Sequence, residues 1–589
     1  MKNPYLDLLK TAWKYAREDK LQYVQVYGMF IMSNLLNALL PVIWGLFINE
    51  LQKQGAGILR TVWLYVGVYL LIQLLIWFFH GVARVKEEKL AFIVGQNFLQ
   101  ELYHKAVHLP VRWHQDNHSG ATINRVRKAH ESLKGFFSRG FMYIGAVLKF
   151  VFSFVAILYF SPVFGLVATV MGVFTIYLVF KFDKPFVAHL KEVNEREHVV
   201  SANLFDSLSN IITVITLRLE KRMESGLMEK VRHIFPPFAK AVIINEWKWF
   251  VVDMCVHLIY GVILLGYMYQ HYRPDEVFLI GGLVTLIGFV NRFTSVFHDV
   301  AWQYSAIVRH DTDVKTAQNI IQAYDQLAIA AVENGLDDHW QRIAIRDLNF
   351  SHMAEKKGEA IQGLKNVNIR IEKGKKVAII GESGSGKSTL LSILRGLYEP
   401  EPGLRIAIDD QNTHNMALIS HTVSLFPQEP EIFENTIEYN ITLGLSYEEA
   451  QLKAICDAVH FSEVIAQLPK GLQSSIQEKG VNLSGGQKQR LALARGVFAA
   501  QDSQIILLDE PTSSVDPKTE VQIYDKMFRL FGNQAVVSAL HRLHLLPKFD
   551  YIYIMENGEI VDEGTFLQLY AHSAIFQELW KHQEEMREK

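Results

Sequence analysis

Three short stretches in the C-terminal half of this chain carry residues suited to handling a nucleoside triphosphate. In Gly381-Glu-Ser-Gly-Ser-Gly-Lys-Ser-Thr389 the glycines let backbone N–H groups turn inward on phosphate oxygens. Gly381, Glu382, Ser383, Gly384, Ser385, Gly386 and Thr389 form that cradle; Lys387 would neutralise the β and γ phosphates, and Ser388 would ligate Mg²⁺. The apolar run Val377–Ile380 predicts a buried strand entering the loop and Leu390–Leu397 the helix leaving it, the context that separates a phosphate loop from a structural glycine turn. A second strand is predicted over Ile505–Leu508, ending in Asp509 and Glu510. Asp509 suits the Mg²⁺ shell, and Glu510 suits polarising an attacking water. His541 follows a further apolar run, Val536–Leu540, where a histidine could contact a γ-phosphate and sense its loss. The chain has 22 histidines, so only this position after a strand sets His541 apart, and His544 reads as a surface residue. Leu483-Ser-Gly-Gly-Gln487 has no use in an ATPase with one self-contained site.

The elements that must position these residues are bounded by size and composition. At 589 residues the chain is too long for one hydrophobic core, and two or three domains are expected. It is 50% hydrophobic and 20% charged, with a mean hydropathy of +0.10, apolar for a soluble protein. A net charge of −2 argues against a general nucleic-acid binder. Two cysteines, Cys255 and Cys456, make no disulfide framework and fit reduced, cytosolic surroundings. Residues 1–20 mix acids and bases and are not expected to act as a cleavable signal.

Six apolar stretches approach the roughly 20 residues a membrane helix needs: 23–47, 60–82, 138–160, 162–182, 247–270 and 276–298. They pair through short loops, Gln52–Gly57, Ser161-Pro162 and Gln270–Glu276. Two long charged connectors, Arg84–Phe137 and Lys181–Trp247, separate the pairs. The connectors are rich in Lys and Arg and the short loops are not, which places both termini and both connectors in the cytosol of an inner-membrane protein. Each connector is expected to form a helical hairpin projecting beyond the bilayer. After Arg292 the helical pattern runs on to Gln326, and from Ile343–Phe350 onward strands alternate with helices. The expected organisation is an all-α polytopic membrane domain over 1–320, a linker over 321–340 and an α/β P-loop ATPase domain over 341–589.

These motifs resemble the ATP-binding cassette (ABC) transporters of the exporter type, with six spans fused to one cassette, and the resemblance covers nearly the whole chain. It implies that Leu483–Gln487 is the signature that completes the ATP site of an opposite cassette. Ser484, Gly485, Gly486 and Gln487 would then lie against nucleotide bound to a partner's Lys387. By the same resemblance Gln428 in Phe426-Pro-Gln428 touches Mg²⁺, and Ser513–Asp516 is a loop across the dimer interface. Glu478-Lys-Gly480 looks like an exporter-specific segment that grips coupling helices. Trp113–Arg125, with its glycine turn, and Ser207–Val214 look like those coupling helices. Two departures stand out: His352 falls where the family stacks an aromatic ring on adenine, and the interface loop carries Ser514-Val515 where Ala-Leu is usual.

One phosphate loop and one signature per chain imply a dimer, either of two copies or with a related half-transporter, binding ATP and Mg²⁺. The expected function is an ATP-driven exporter or flippase of a lipid-linked or amphipathic molecule. The alternatives are a peptide or multidrug exporter and an exporter-shaped importer. Lys149, Asp253, His257 and Arg292 are ionisable residues inside predicted spans. They read either as a cationic patch (Lys149, Arg292) for an acidic substrate, or as Asp253 paired with Lys149 or Arg292, with Arg292 alternatively snorkelling to the cytosolic face.

Overall fold

In the computed structural model the described residues are 3–117, 119–160, 162–271, 278, 280–327, 335–351, 363–409, 411–413, 415–476 and 483–588. The chain divides near residue 328 into two compact units.

The first unit is helical. Its elements are α1 (Pro4–Tyr15), α2 (Lys20–Ala38), α3 (Leu40–Gln54), α4 (Val62–Val107), α5 (Val111–Asp116), α6 (Ser119–Ser138), α7 (Gly140–Phe160), α8 (Pro162–Ser209), α9 (Ile211–Thr216), α10 (Glu220–His271) and α11 (Ile280–Gln326). Among the described residues, six helical stretches are long and apolar enough to cross a membrane. Large apolar side chains such as Leu70, Leu74, Trp77 and Phe78 point outward from α4, as a lipid-facing surface requires. The span expected over 23–47 is interrupted at Leu39, and Pro41 opens α3. Proline offers no N–H to the preceding turn, so the helix restarts there.

The connectors are continuations of the spans. The 46 residues of α4 extend about 69 Å, more than twice the hydrocarbon thickness. The short helices α5 and α9 turn the chain at the far ends. Gly120, expected in a turn, instead lies in the first turn of α6. Buried apolar side chains of α1, α2, α4, α6, α7 and α11 form one cluster, and those of α7, α8, α10 and α11 form another.

The second unit holds two sheets. Strands β1 (Arg342–Ser351), β2 (Gly363–Glu372), β4 (Arg405–Ile408) and β5 (Gln411–Thr413) form an antiparallel sheet in the order β2-β1-β4-β5. Strands β3 (Lys376–Ile380), β6 (Val423–Phe426), β7 (Ile505–Asp509), β8 (Ala535–Ala539), β9 (Tyr551–Glu556) and β10 (Glu559–Gly564) form the other, in the order β10-β9-β3-β8-β7-β6. All its pairings are parallel except β9 with β10. Alternate residues of β3, β7 and β8 feed opposite cores: Ala378, Ile380, Ile506 and Leu508 one, Val377, Ile379, Ile505 and Leu507 the other. Burial on both faces explains why these strands read as unbroken apolar runs rather than alternating ones. Parallel pairing brings the C-terminal ends of β3, β6, β7 and β8 to one edge, where open α/β sheets bind ligands.

Candidate nucleotide site and membrane cavity

At the end of β3 the backbone reverses through Gly381 (φ +148°) and Gly386 (φ +104°) into the helix Lys387–Leu394. A Cβ on Gly381 would meet the Met555 carbonyl oxygen at 2.1 Å, and one on Gly386 would meet the Leu364 side chain at 2.7 Å. Only glycine fits either place. The helix begins three residues before the predicted Leu390 and ends three before Leu397, because the loop opens directly into it and Gly396 (φ +78°) turns the chain out.

Lys387 is 6% exposed, and its Nζ donates to the carbonyls of Gly381 (2.9 Å) and Glu382 (3.0 Å). Burial pulls its ammonium below the usual lysine range, while the carboxylates of Glu510 and Asp509 oppose that pull. Ser385 Oγ is buried in the cradle and has no hydrogen-bond partner among the described residues. A phosphate oxygen would satisfy it.

The acids at the end of β7 face this loop. Ser388 Oγ donates to Asp509 Oδ1 at 2.9 Å, and Gln428 Nε2, just past β6, donates to Glu510 Oε2 at 3.2 Å. Burial pushes the Asp509 carboxyl up, and the Ser388 hydrogen bond pulls the other way. Ser388, Asp509 and Gln428 make an all-oxygen donor set of the kind a hard dication takes. His541 is exposed beyond the end of β8. His544 is not a free surface residue: its side chain is 18% exposed, with Nε2 3.3 Å from the buried Glu520 carboxylate. His352 and Glu478–Gly480 lie outside the described residues.

The Leu483–Gln487 stretch starts the helix Gly485–Ala499. Ser484 caps it: Oγ accepts from Gln487 N–H (3.3 Å), and Ser484 N–H donates to Gln487 Oε1 (2.8 Å). A Cβ on Gly486 would meet the Ser514 carbonyl oxygen at 2.9 Å, so the helix start and the Ser513–Asp516 loop lie close together.

Sequence reasoning passed over the residues that hold that loop. Gln489, 5% exposed, donates to Ser513 Oγ and accepts from Ser514 N–H, both at 2.7 Å. On the other side Arg542 donates to Val515 O (2.7 Å), Ser513 O (2.9 Å) and Glu520 Oε2 (3.1 Å). Its adjacency to His541 was the available signal.

In the helical unit the intramembrane ionisable residues pair differently from either sequence reading. Lys149 Nζ lies 3.0 Å from Asp299 Oδ2, and Asp253 Oδ1 lies 2.8 Å from His298 Nε2. Arg292 donates to Asn37 Oδ1 at 2.6 Å. His257 Nδ1 lies 2.7 Å from the Asp253 carbonyl oxygen, one helical turn back. Lys149 and Arg292 line one cavity of about 250 Å³, and Asp253 is not among its lining residues. The sequence also gave no sign of the buried pair Lys248 Nζ–Asp183 Oδ1 (3.0 Å), which ties α10 to α8.

A phosphate-loop site on a parallel sheet, in a chain that also holds, among the described residues, six membrane-length helices, defines a multi-pass membrane protein with a P-loop nucleotide-binding domain. The chain belongs to the ABC transporters and has the architecture of an exporter-type half-transporter. Residues 27–295 match the ABC transporter transmembrane region, and residues 364–513 match the ABC transporter family. Among similar proteins, the multidrug resistance-like ATP-binding protein MdlB of Buchnera aphidicola is 25% identical, with 98% of each chain covered. An uncharacterised ABC transporter ATP-binding protein, YfiC of Bacillus subtilis, is 24% identical over 98% of this chain and 94% of its own. The transport/processing ATP-binding protein ComA of Streptococcus pneumoniae is 24% identical over 94% of this chain and 74% of its own. A solved bacterial Atm1-family ABC exporter with ATP bound shares the fold, with a TM-score of 0.81 at 22% identity over 96% of this chain and 99% of that one.

Proposed function

We propose that this chain is an ATP-driven exporter or flippase of a lipid-linked or amphipathic molecule, acting as a dimer with two composite ATP sites and working by alternating access. The observation that carries the reading is the convergence of Lys387, Ser388, Asp509, Glu510 and Gln428 on one sheet edge of a chain with six spans. ATP bound with Mg²⁺ supplies a γ-phosphoryl group open to attack by water. Lys387 leaves the loop carbonyls to neutralise phosphate charge. Ser388, Asp509 and Gln428 would hold Mg²⁺, and Glu510 would take the proton of the attacking water. Ser484 and Gly486 of each chain complete the site of the other, while the exposed His541 meets the γ-phosphate end. The lysine- and arginine-rich connectors support cytosolic termini and a cytosolic ATPase domain in the inner membrane. The descriptions of MdlB as multidrug resistance-like and of ComA as a transport/processing protein support the second reading, a multidrug or peptide exporter.

Glu510→Gln tests this directly, with phosphate release and nucleotide binding measured on the purified chain in lipid nanodiscs. Steady-state hydrolysis should fall by about a hundredfold or more, the size of a lost general base, while ATP binding persists. Turnover near that of the parent chain overturns the assignment.

A further inference from the structure

Helices α2, α7 and α11 line the cavity of about 250 Å³, and its polar lining includes Asn37, Lys149, Ser153, Asn291 and Arg292. Arg292 stands about 18 Å along α11 from Ile280, and Ser153 about 20 Å along α7 from Gly140. Both distances place them deep in segments of membrane length. Lys149 is neutralised by Asp299. Arg292 is not: it bonds the Asn37 amide and has no carboxylate partner among the described residues. A guanidinium carries five N–H donors, so most of its fork is open. Its hydrogen bond to α2 fixes it between helices, which excludes snorkelling to the membrane surface. Ser153 is a second, independent sign of a ligand. It belongs to the cavity lining and is 1% exposed, and its buried Oγ has no hydrogen-bond partner among the described residues.

We propose that this cavity binds the anionic headgroup, a phosphate or carboxylate, of the transported molecule, with Arg292 as its charge partner and Ser153 as a hydroxyl donor. The inference rests on the transporter reading above and narrows its substrate class to acidic amphiphiles. A planar fork and a hydroxyl match the oxygens of such a group. At about 30 Å³ per water-sized volume the space equals about eight waters. It admits a glycerophosphate-sized head and leaves acyl chains outside. An uncompensated cation deep in a span is costly, which is why such residues mark substrate paths.

The test uses the full-length Glu510→Gln protein in phosphatidylcholine nanodiscs, so that turnover does not enter the readout. Dioleoyl phosphatidate with a fluorescent tail is titrated in, and glycerol 3-phosphate is the soluble competitor. Saturable binding is expected. Arg292→Gln should weaken it about tenfold or more and Ser153→Ala about threefold, the sizes of a charged and a neutral hydrogen bond. Arg292→Lys should retain part of the affinity. Competition by glycerol 3-phosphate supports the anion site with a soluble source; its absence supports a lipid source. Parent-like binding by Arg292→Gln, or equal binding of a phosphatidylcholine carrying the same tail, overturns the proposal. If Arg292→Gln does not fold, Ser153→Asp sets a carboxylate in the lining of the same cavity, where it repels an anion, and should abolish binding; unchanged affinity there is equally fatal. Hydrolysis by the Glu510-bearing chain is scored separately. Glu510-dependent turnover without anion binding sinks only this inference, whereas Glu510-independent hydrolysis sinks the reading on which it rests.

Discussion

Glu510 holds a backbone φ of +46°, a left-handed conformation that costs a non-glycine residue about 1–3 kcal/mol. The strain turns the chain at the end of β7 so that two successive carboxylates serve different partners, Asp509 to Ser388 and Glu510 to Gln428. Lys376, at the start of β3, is the residue whose burial makes stability depend on pH. Its Nζ donates to the carbonyls of Phe531 (2.7 Å) and Gln534 (2.8 Å), and burial pulls its ammonium down to about 8, against the opposing Asp550 carboxylate. Between about pH 8 and the ordinary lysine value of about 10.5, the unfolded chain holds a proton that the folded chain has released. Stability should therefore rise with pH across that window and be flat below it. The apparent Tm of the full chain in detergent, compared with Lys376→Met at each pH, should show a rise that the variant lacks. Parallel curves for the two proteins would refute the assignment.

At the scale of elements, the Ser513–Asp516 loop is clamped by Gln489 from the signature helix and by Arg542 from the segment after β8. Gln489→Leu would remove the bonds to the Ser513 hydroxyl and the Ser514 N–H, at about 0.5–1.5 kcal/mol each because both serines are exposed. The Lys387 loop is untouched, so kcat for ATP should drop several-fold while the nucleotide Kd stays near that of the parent. Equal losses in both would mean that the amide supports the whole cassette rather than the loop. Neither clamp was legible in the sequence, because a glutamine in a helix and an arginine after a strand are ordinary residues until the fold makes them neighbours. The phosphate loop and the β7 acids were legible because their geometry is local: a strand, a turn and a helix in unbroken succession. The break at Leu39 escaped for the opposite reason, since residues on both sides are apolar and hydropathy cannot register a missing N–H. The capping of α7 escaped too: buried Glu87, held by Arg84, accepts from Phe141 N–H at 2.9 Å across 54 residues of sequence. In the spans, the ionisable residues were found by type, but their partners Asp299, His298 and Asn37 follow from helix packing alone.

For the whole molecule the decisive question is where the second half of each ATP site comes from. The helix Gly485–Ala499 spends its capping groups on itself, Ser484 and Gln487 bonding each other's backbone, and its glycines lie against Ser514 of the Ser513–Asp516 loop. With one phosphate loop and one signature per chain, the composite site proposed above needs two chains, and two copies of this one would form the simplest closed dimer. Complementation separates this arrangement from a self-contained site. Lys387→Ala removes the phosphate partner, and Ser484→Arg blocks the signature, so neither variant alone should hydrolyse ATP. When the two are co-expressed and pair at random, half the dimers are mixed. Each mixed dimer joins the intact phosphate loop of one chain to the intact signature of the other. If the sites act independently, hydrolysis should return to about a quarter of the parent value. Tandem affinity tags would isolate the mixed dimer, where the expected recovery is about half. No recovery in that purified dimer would mean that each signature serves its own chain or that a different subunit completes the site, and the two-copy arrangement would have to be abandoned.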